Sequence, residues 1–324
     1  MIDALRANAD PSVQHPAMLD PWHAAATWGD GVVLAVLTDT HGPSYRDPGA
    51  AIAIAPDGRF AGAITAGCVE ADLKLRAADV RRTGEPLTLR YGEGSRFFDL
   101  RLPCGGAVEI LLFLVRDTDA LGGLSRAREA RRPASVLISP EGAIRMEGWR
   151  PTGLVRGGFQ MGFRPPLRFL IFGTGAEASA FGGLIRGMDY DHILLSHEDS
   201  SLAAARASGS PTRLLLPGFH LADLEVDADT AVVLFYHDHD YEPEILKHFA
   251  ETPAFYIGAQ GSRATQANRL ARLAEMRLPQ SERDRIRGPI GLIPSSRDPR
   301  ALAISVLAEV VEVHGKFSTC REGS

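Results

Sequence analysis

Apolar positions follow two different rhythms along this chain, and the change between them falls near its middle. In the first half, Val32–Thr40 is a β-rich run that breaks into the turn-rich loop His41-Gly-Pro-Ser-Tyr-Arg-Asp-Pro-Gly49. Ala51–Ala55 and Phe60–Ile64 flank Pro56-Asp-Gly58, a hairpin signal of two short apolar runs parted by turn residues. The pattern predicts a helix starting just after Cys68 and running through Ala71, Leu73, Leu75 and Ala78. Val108–Val115 is a candidate buried strand entered from Cys104-Gly-Gly106, and helical and strand-like stretches follow to about Met146. From Gly148 to Pro166 the chain is dense in Gly, Pro and Arg without periodicity, as a linker would be.

The second half alternates short apolar runs with helical spacing, the pattern of a parallel α/β sheet. Leu167–Phe172 leads into Gly173-Thr-Gly-Ala-Glu-Ala178 and a helix through Phe181, Leu184 and Ile185. Ile193–Leu195, Leu214–Leu216, Ala231–Phe235 and Ala254–Ile257 have parallel-strand length. A helix after Arg263 is expected to present Ala267, Leu270, Ala271 and Ala274 on one face. A last helix has Asp298 as N-cap and Pro299 at its first position; it buries Ala303, Val306, Leu307 and Val310 and is expected to stop near Gly315. The fold class is therefore α/β: a mixed α+β domain over 1–147, a linker over 148–166, and a Rossmann-like parallel domain over 167–324.

Composition narrows the function classes. The 324 residues are enough for two domains, with 45% hydrophobic and 23% charged residues as in ordinary globular proteins. A net charge of −5 lacks the basic field of a nucleic-acid binder. No apolar run approaches the roughly 20 residues of a membrane span, and Met1–Asp20 has no signal-peptide core. Three scattered cysteines, Cys68, Cys104 and Cys320, do not make a disulfide framework. A cytoplasmic location is the expectation.

Several constellations could carry chemistry. Gly173, Gly175 and Ala178 match G-x-G-x-x-A between a strand and a helix, where glycines let a phosphate approach the helix N-terminus. The second strand should then end in an acid for the ribose hydroxyls, yet it ends Leu195-Ser196-His197, with Glu198 slightly late. The fingerprint thus points to a Rossmann-like fold, and leaves a packing turn and a nucleotide loop as equal alternatives. Weak or absent binding of NAD(P) is expected. Gly258-Ala-Gln-Gly-Ser-Arg263 before a helix is a reasonable anion site. His237-Asp-His-Asp240 reads as a polar loop rather than a metal site, because alternating side chains of an extended segment point apart. Cys68 stands at a helix start, where the dipole favours thiolate, and Cys104 in a glycine turn; both read as reactive thiols or as small buried side chains. No G-x-S-x-G elbow and no P-loop occurs.

Taken in order, these motifs resemble the XdhC/CoxI family of molybdenum-hydroxylase accessory proteins from about Trp22 to Gly315. Thr38-Asp-Thr-His-Gly-Pro-Ser-Tyr-Arg46 with Pro48-Gly-Ala50 is similar to T-x-G-S-x-P-R-x-x-G-A. Ala61-Gly-Ala-Ile-Thr-Ala-Gly-Cys-Val-Glu70 is similar to G-x-x-S-G-G-C-V-E, and Pro103-Cys-Gly-Gly106 to G-C-G-G. Phe255-Tyr-Ile-Gly-Ala-Gln-Gly-Ser-Arg263 resembles Y-I-G-L-L-G-S-R, and Gly288-Pro-Ile-Gly-Leu292 with Pro299 and Ile304-Ser-Val-Leu-Ala-Glu309 resembles the family's ending. The resemblance implies a chaperone rather than a catalyst, with no catalytic residue. It would bind the molybdenum–pterin cofactor (molybdopterin), assist its sulfuration, and insert it into a xanthine-dehydrogenase-like client. The implied cofactor positions are Gly67, Cys68, Glu70, Cys104, Gly105 and Gly106, with Cys68 and Cys104 as metal ligands facing one cleft. Gly261, Ser262 and Arg263 would take the cofactor's phosphate. A cysteine desulfurase and a second copy of the chain are further candidate partners.

The chain departs from the family where Ala176 replaces the histidine of G-x-G-H, where T-H-D becomes Tyr236-His237-Asp238, and where G-L-D-I-G becomes Gly291-Leu-Ile-Pro-Ser295. With the late acid, all departures fall at the mouth of the C-terminal domain. The Rossmann half read alone would suggest an NAD(P)-dependent oxidoreductase, and the two thiols alone a redox or metal-binding module.

Overall fold

The computed structural model describes residues 15–65, 67, 69–95, 105–116, 118–216, 220–236 and 241–322, with side chains to 317. Backbone contacts divide the chain at Pro165/Pro166 into two compact units.

In the first unit, β1 (Val33–His41), β2 (Ala51–Ile54), β3 (Phe60–Gly62), β4 (Leu87–Gly92) and β5 (Ala107–Leu114) form an antiparallel sheet in the order β3-β2-β1-β5-β4. Alternation along β1 sends Val33, Ala35 and Leu37 to one face and Leu34 and Val36 to the other, and both sets are buried. The first face is covered by α2 (Glu70–Thr83). The second packs on α1 (Pro21–Thr27), α3 (Thr118–Glu129) and a four-stranded sheet, β7-β6-β9-β8, made of β6 (Ala134–Ile138), β7 (Ile144–Glu147), β8 (Gly153–Val155) and β9 (Gly158–Phe163). Asp20 caps α1 by accepting hydrogen bonds from Trp22 N (2.9 Å) and His23 N (3.2 Å), with Pro21 at the first position.

The second unit is a parallel sheet of β10 (Arg168–Gly173), β11 (Asp191–Ser196), β12 (Thr212–Leu214), β13 (Thr230–Phe235), β14 (Tyr256–Ala259) and β15 (Ile286–Arg287), in the order β12-β11-β10-β13-β14-β15. Counted from β10, that is 3-2-1-4-5-6, the doubly wound order whose ligands sit where β10 and β13 part. β10, β11 and β13 are buried throughout, as strands with helices on both faces must be. One face carries α4 (Gly175–Gly187), α5 (Asp199–Ala207) and α9 (Pro299–Glu322), and the other carries α6 (Glu242–Ala250), α7 (Arg263–Glu275) and the short α8 (Gln280–Arg283).

Three expectations need correction. The 148–166 stretch holds β8 and β9, and β9 pairs with β6 from Ala134↔Phe163 to Ile138↔Phe159. Its glycines make a tight hairpin, and Arg150 and Arg156 are exposed, which hid the strands. The helix expected from just after Cys68 is present as α2; its buried stripe is Leu73, Ala77 and Val80, and Leu75 is 70% exposed. Two residues along a helix is about 200° of rotation, so Leu73 and Leu75 cannot share a face. On α7 the buried positions are Gln266, Arg269 and Leu273, while Ala267, Ala271 and Ala274 are exposed. The inward face is polar because Arg269 answers a buried carboxylate, Glu242. Finally, α9 continues through Gly315 to Glu322. Phe317 stacks on Phe255 with ring centroids 5.8 Å apart, and Lys316 pairs with Glu312 at 2.5 Å, which offsets the glycine.

Candidate functional site

The antiparallel pairing fixes where the N-terminal motifs meet. β1, β3 and β4 finish, and β2 and β5 begin, at the same end of the five-stranded sheet. The loop leaving β3 through Gly67 and the loop entering β5 through Gly105 and Gly106 therefore emerge at the same end of the sheet, with β2 and β1 between their strands. Glu70 clamps the first of them. Its Oε1 accepts from Thr65 N (2.7 Å) and Ile64 N (3.2 Å); its Oε2 accepts from Thr65 Oγ1 (2.7 Å) and Val69 N (3.3 Å). Burial pushes the carboxyl's pKa up, but the donors of Thr65 and Ile64 outweigh it and hold the group below the ordinary glutamate value. Two acidic residues, Glu70 and Asp72, occupy the first turn of α2 and already answer its dipole. Asp72 Oδ2 accepts from Tyr91 Oη at 2.6 Å and so joins the start of α2 to the end of β4.

The glycines here divide into two kinds. A Cβ on Gly106 would collide with the carbonyl oxygens of Pro43 and His41, and one on Gly92 with that of Gly106. These two let three strand ends pack. Gly67 (φ +105°) and Gly105 (φ +75°) are exposed, with nothing among the described residues within 4 Å of a Cβ, so a large ligand can approach their backbone. Cys68 and Cys104, expected as cofactor and metal ligands, lie outside the described residues, as does the His237–Asp240 run. Among the described residues no group of three His, Cys, Asp or Glu side chains could hold a metal ion.

The second candidate region is the carboxyl mouth of the parallel sheet. Gly173 has no room for a Cβ beside Phe235, and Thr174 N donates to Phe235 O (3.3 Å), so the glycine loop lies against the end of β13. Ala178, 1% exposed, packs α4 on the sheet. Gly175 N donates to Ser201 Oγ (3.1 Å), and Ser201 Oγ donates to Glu198 Oε2 (2.9 Å). Glu198, two residues past the end of β11 and at the N-cap of α5, thereby reaches toward the glycine loop through Ser201. At the end of β14, Ser262 caps α7 by accepting from Thr265 N (3.0 Å), and Arg263 is exposed. Gly261 has a Cβ position 3.0 Å from Thr265 Cγ2, so its anion-loop geometry is shaped by packing. Arg269, Glu242 and Gln266 brace that loop from behind: Arg269 Nη2 donates to Gln260 O (2.7 Å) and Arg269 Nη1 to Gln266 Oε1 (2.6 Å). Sequence reasoning misses the parts played by Thr65, Ser201 and Glu242, since lone polar residues beside turns carry no distinctive spacing.

With this geometry in place, likeness to known proteins bears on the same segments. Residues 169–310 match the XdhC Rossmann domain family, and residues 25–92 match the XdhC and CoxI family. The chain is 35% identical over 297 residues to the molybdenum cofactor insertion chaperone PaoD of Escherichia coli, covering 90% of this chain and 87% of that protein. This chain belongs to the XdhC and CoxI family. A probable xanthine dehydrogenase subunit of Bacillus subtilis is 20% identical over 88% of this chain and 94% of its own length. The fold is shared with a crystal structure of a xanthine dehydrogenase from Bacillus halodurans, at a TM-score of 0.72 and 22% identity, covering 90% of this chain and 94% of that one. The XdhC and CoxI match contains Gly67 and Glu70, the Rossmann match contains Gly173 to Arg263, and Gly105 and Gly106 fall between the two. Among the described residues no helix is long and apolar enough to cross a membrane.

Proposed function

We propose that this chain is an accessory protein that holds the molybdenum–pterin cofactor on its N-terminal unit, assists its sulfuration, and passes it to a xanthine-dehydrogenase-like client. The observation that carries this reading is the presence of two exposed glycine loops, at Gly67 and Gly105, at the same end of one sheet. Membership in the family of PaoD, a molybdenum cofactor insertion chaperone, supports it.

In this reading the exposed backbone at Gly67 and Gly105 receives the pterin, and the thiols of Cys68 and Cys104 are the soft donors that suit molybdenum. Glu70 is a positioning residue: with its carboxylate bound to four donors it fixes the loop that carries Cys68. When bound, the cofactor supplies the metal centre that the client uses, and this chain contributes only holding, shielding and release. A sulfur donor of the cysteine desulfurase class and a cytoplasmic setting belong to the same reading. Gly261, Ser262 and Arg263, in the second unit, are proposed as an anion position in their own right.

The test is the molybdenum content of the client purified from cells with and without this chain. A client that is poor in molybdenum without the chain, and refilled when it is re-expressed, supports the reading. A client equally loaded in both backgrounds overturns it.

A further inference from the structure

Near the Gly105 loop of the first unit lies a row of charged side chains that the holding role leaves unused. One face of β1 and β5 is apolar through Leu34, Val36, Leu111 and Phe113, and it turns polar toward the loop end. Glu109 shares that face with Leu111 by strand alternation. Asp39 stands directly opposite Glu109 on β1, and Arg90 stands opposite it on β4. A register shift between Leu37 and Asp39 is what turns Asp39, rather than Thr38, toward Glu109. Arg90 Nη1 donates to Glu109 Oε1 at 3.0 Å, and His41 Nε2 lies 3.3 Å from Asp39 Oδ2 and 3.8 Å from Glu109 Oε1. All four side chains are 35–46% exposed.

As structure, this row is a poor device. Two carboxylates directly opposite in an antiparallel pair repel each other, and exposed ion pairs return little. Among the described residues no donor meets Glu109 Oε2, so the carboxylate keeps open acceptor sites. The row also reaches the glycine loop. A Cβ on Gly106 would lie 2.8 Å from the carbonyl oxygen of His41, so His41 abuts the residue that follows the exposed Gly105. At the rise of a β-strand, Glu109 stands about 13 Å along the chain from Gly105.

A carboxylate beside a guanidinium offers two acceptors followed by a donor. The 2-amino-4-oxo edge of a pterin presents the complement: an amino donor, a ring N–H donor and a carbonyl acceptor. We propose that Glu109 takes the amino and ring N–H groups of the pterin bidentately, and that Arg90 donates to its 4-oxo group. The two are then the residues that select the bicyclic head of the ligand, while the rest of it extends toward the Gly105 loop. This inference rests on the reading that the first unit holds the cofactor, and it names the part of the ligand that is read.

The test is equilibrium dialysis of the full chain against pterin-6-carboxylate and against lumazine-6-carboxylate, which has an oxo group in place of the 2-amino group. The pterin should bind at least about tenfold more tightly, because the lumazine lacks a donor to the charged acceptor. Glu109→Gln should weaken the pterin about tenfold and abolish the preference over lumazine, whereas Glu109→Asp, which keeps the carboxylate, should keep the preference. Arg90→Met should weaken both ligands, since both carry the 4-oxo group. Glu109 is partly exposed, and thermal melts check that the variants stay folded. No binding at millimolar ligand, equal affinity for the two ligands, or an unchanged preference in Glu109→Gln overturns the proposal. Cofactor that copurifies equally with wild type and Glu109→Gln defeats this inference and leaves the holding role standing; a wild type that retains none defeats both.

Discussion

At the loop end of the antiparallel sheet a single carboxylate, Glu70, collects donors from Ile64, Thr65 and Val69 and leaves the neighbouring glycines open to solvent. At the mouth of the parallel sheet the polar side chains answer one another. Glu242 and Arg269 pair at 3.0 Å with 2–3% exposure, and Glu198, Ser201 and the Gly175 amide form a chain. The first region is braced yet open, which suits a ligand larger than a nucleotide. The second is largely self-satisfied; among the described residues its buried unpartnered atoms include the Tyr236 hydroxyl, His197 Nδ1 and Gln260 Oε1. The difference teaches that a glycine motif alone does not define a site: what the loop amides already bind decides what they can still accept.

That contrast can be broken by mutation. Arg269→Ala leaves Glu242 buried without its guanidinium, so chemical denaturation should show a loss of about 3–5 kcal/mol. A loss under about 1 kcal/mol would mean that water reaches this pair and that the second region is not self-satisfied. Leu73→Ala should cost about 2–5 kcal/mol through the cavity beneath α2, while Leu75→Ala should stay within about 0.5 kcal/mol. Comparable losses from the two would put α2 on a different face of the sheet.

Glu70→Gln should cost about 1–2 kcal/mol at neutral pH, because a charged acceptor becomes a neutral one. The folded carboxyl titrates below the ordinary glutamate value. Its stabilisation is therefore fully present above that ordinary value of about 4.3 and is lost as pH falls through the lower folded value. Wild type and variant should differ at neutral pH and converge in strong acid; a gap independent of pH would assign the loss to packing. The smallest effect is a gain: Gly315→Ala, in the interior of α9 with nothing near its Cβ position, should stabilise by about 0.5–1 kcal/mol. A loss there would mean that the helix end is frayed.

Strand–turn–strand runs such as Val33–Ile54 and the strand–glycine–helix at Arg168–Gly187 were legible because periodicity and turn residues report directly on backbone geometry. What failed depends on partners distant in the chain. The buried face of α7 is set by Glu242, 27 residues before Arg269, and no local pattern reports a buried ion pair. β8 and β9 were hidden because they are short and their hairpin is glycine-rich, with Arg156 at its turn. At the sites, the motif residues Gly67, Glu70, Gly105 and Gly106 were readable one by one. Their common sheet end came from the antiparallel order, which joins residues far apart in sequence. The link from Glu198 through Ser201 to the Gly175 amide was not legible, because spacing counts residues and does not report side-chain reach.

The central claim is that cofactor is held at the Gly67 and Gly105 loops of the first unit. Its most direct measurement is the pterin that copurifies with the full chain after co-expression with cofactor synthesis, quantified by oxidised-pterin fluorescence in wild type, Cys68→Ala, Cys104→Ala and the surface control Leu75→Ala. The account predicts pterin on wild type and the control, and at least a tenfold loss in both cysteine variants with their melting temperatures unchanged. Equal pterin on all four proteins would contradict it.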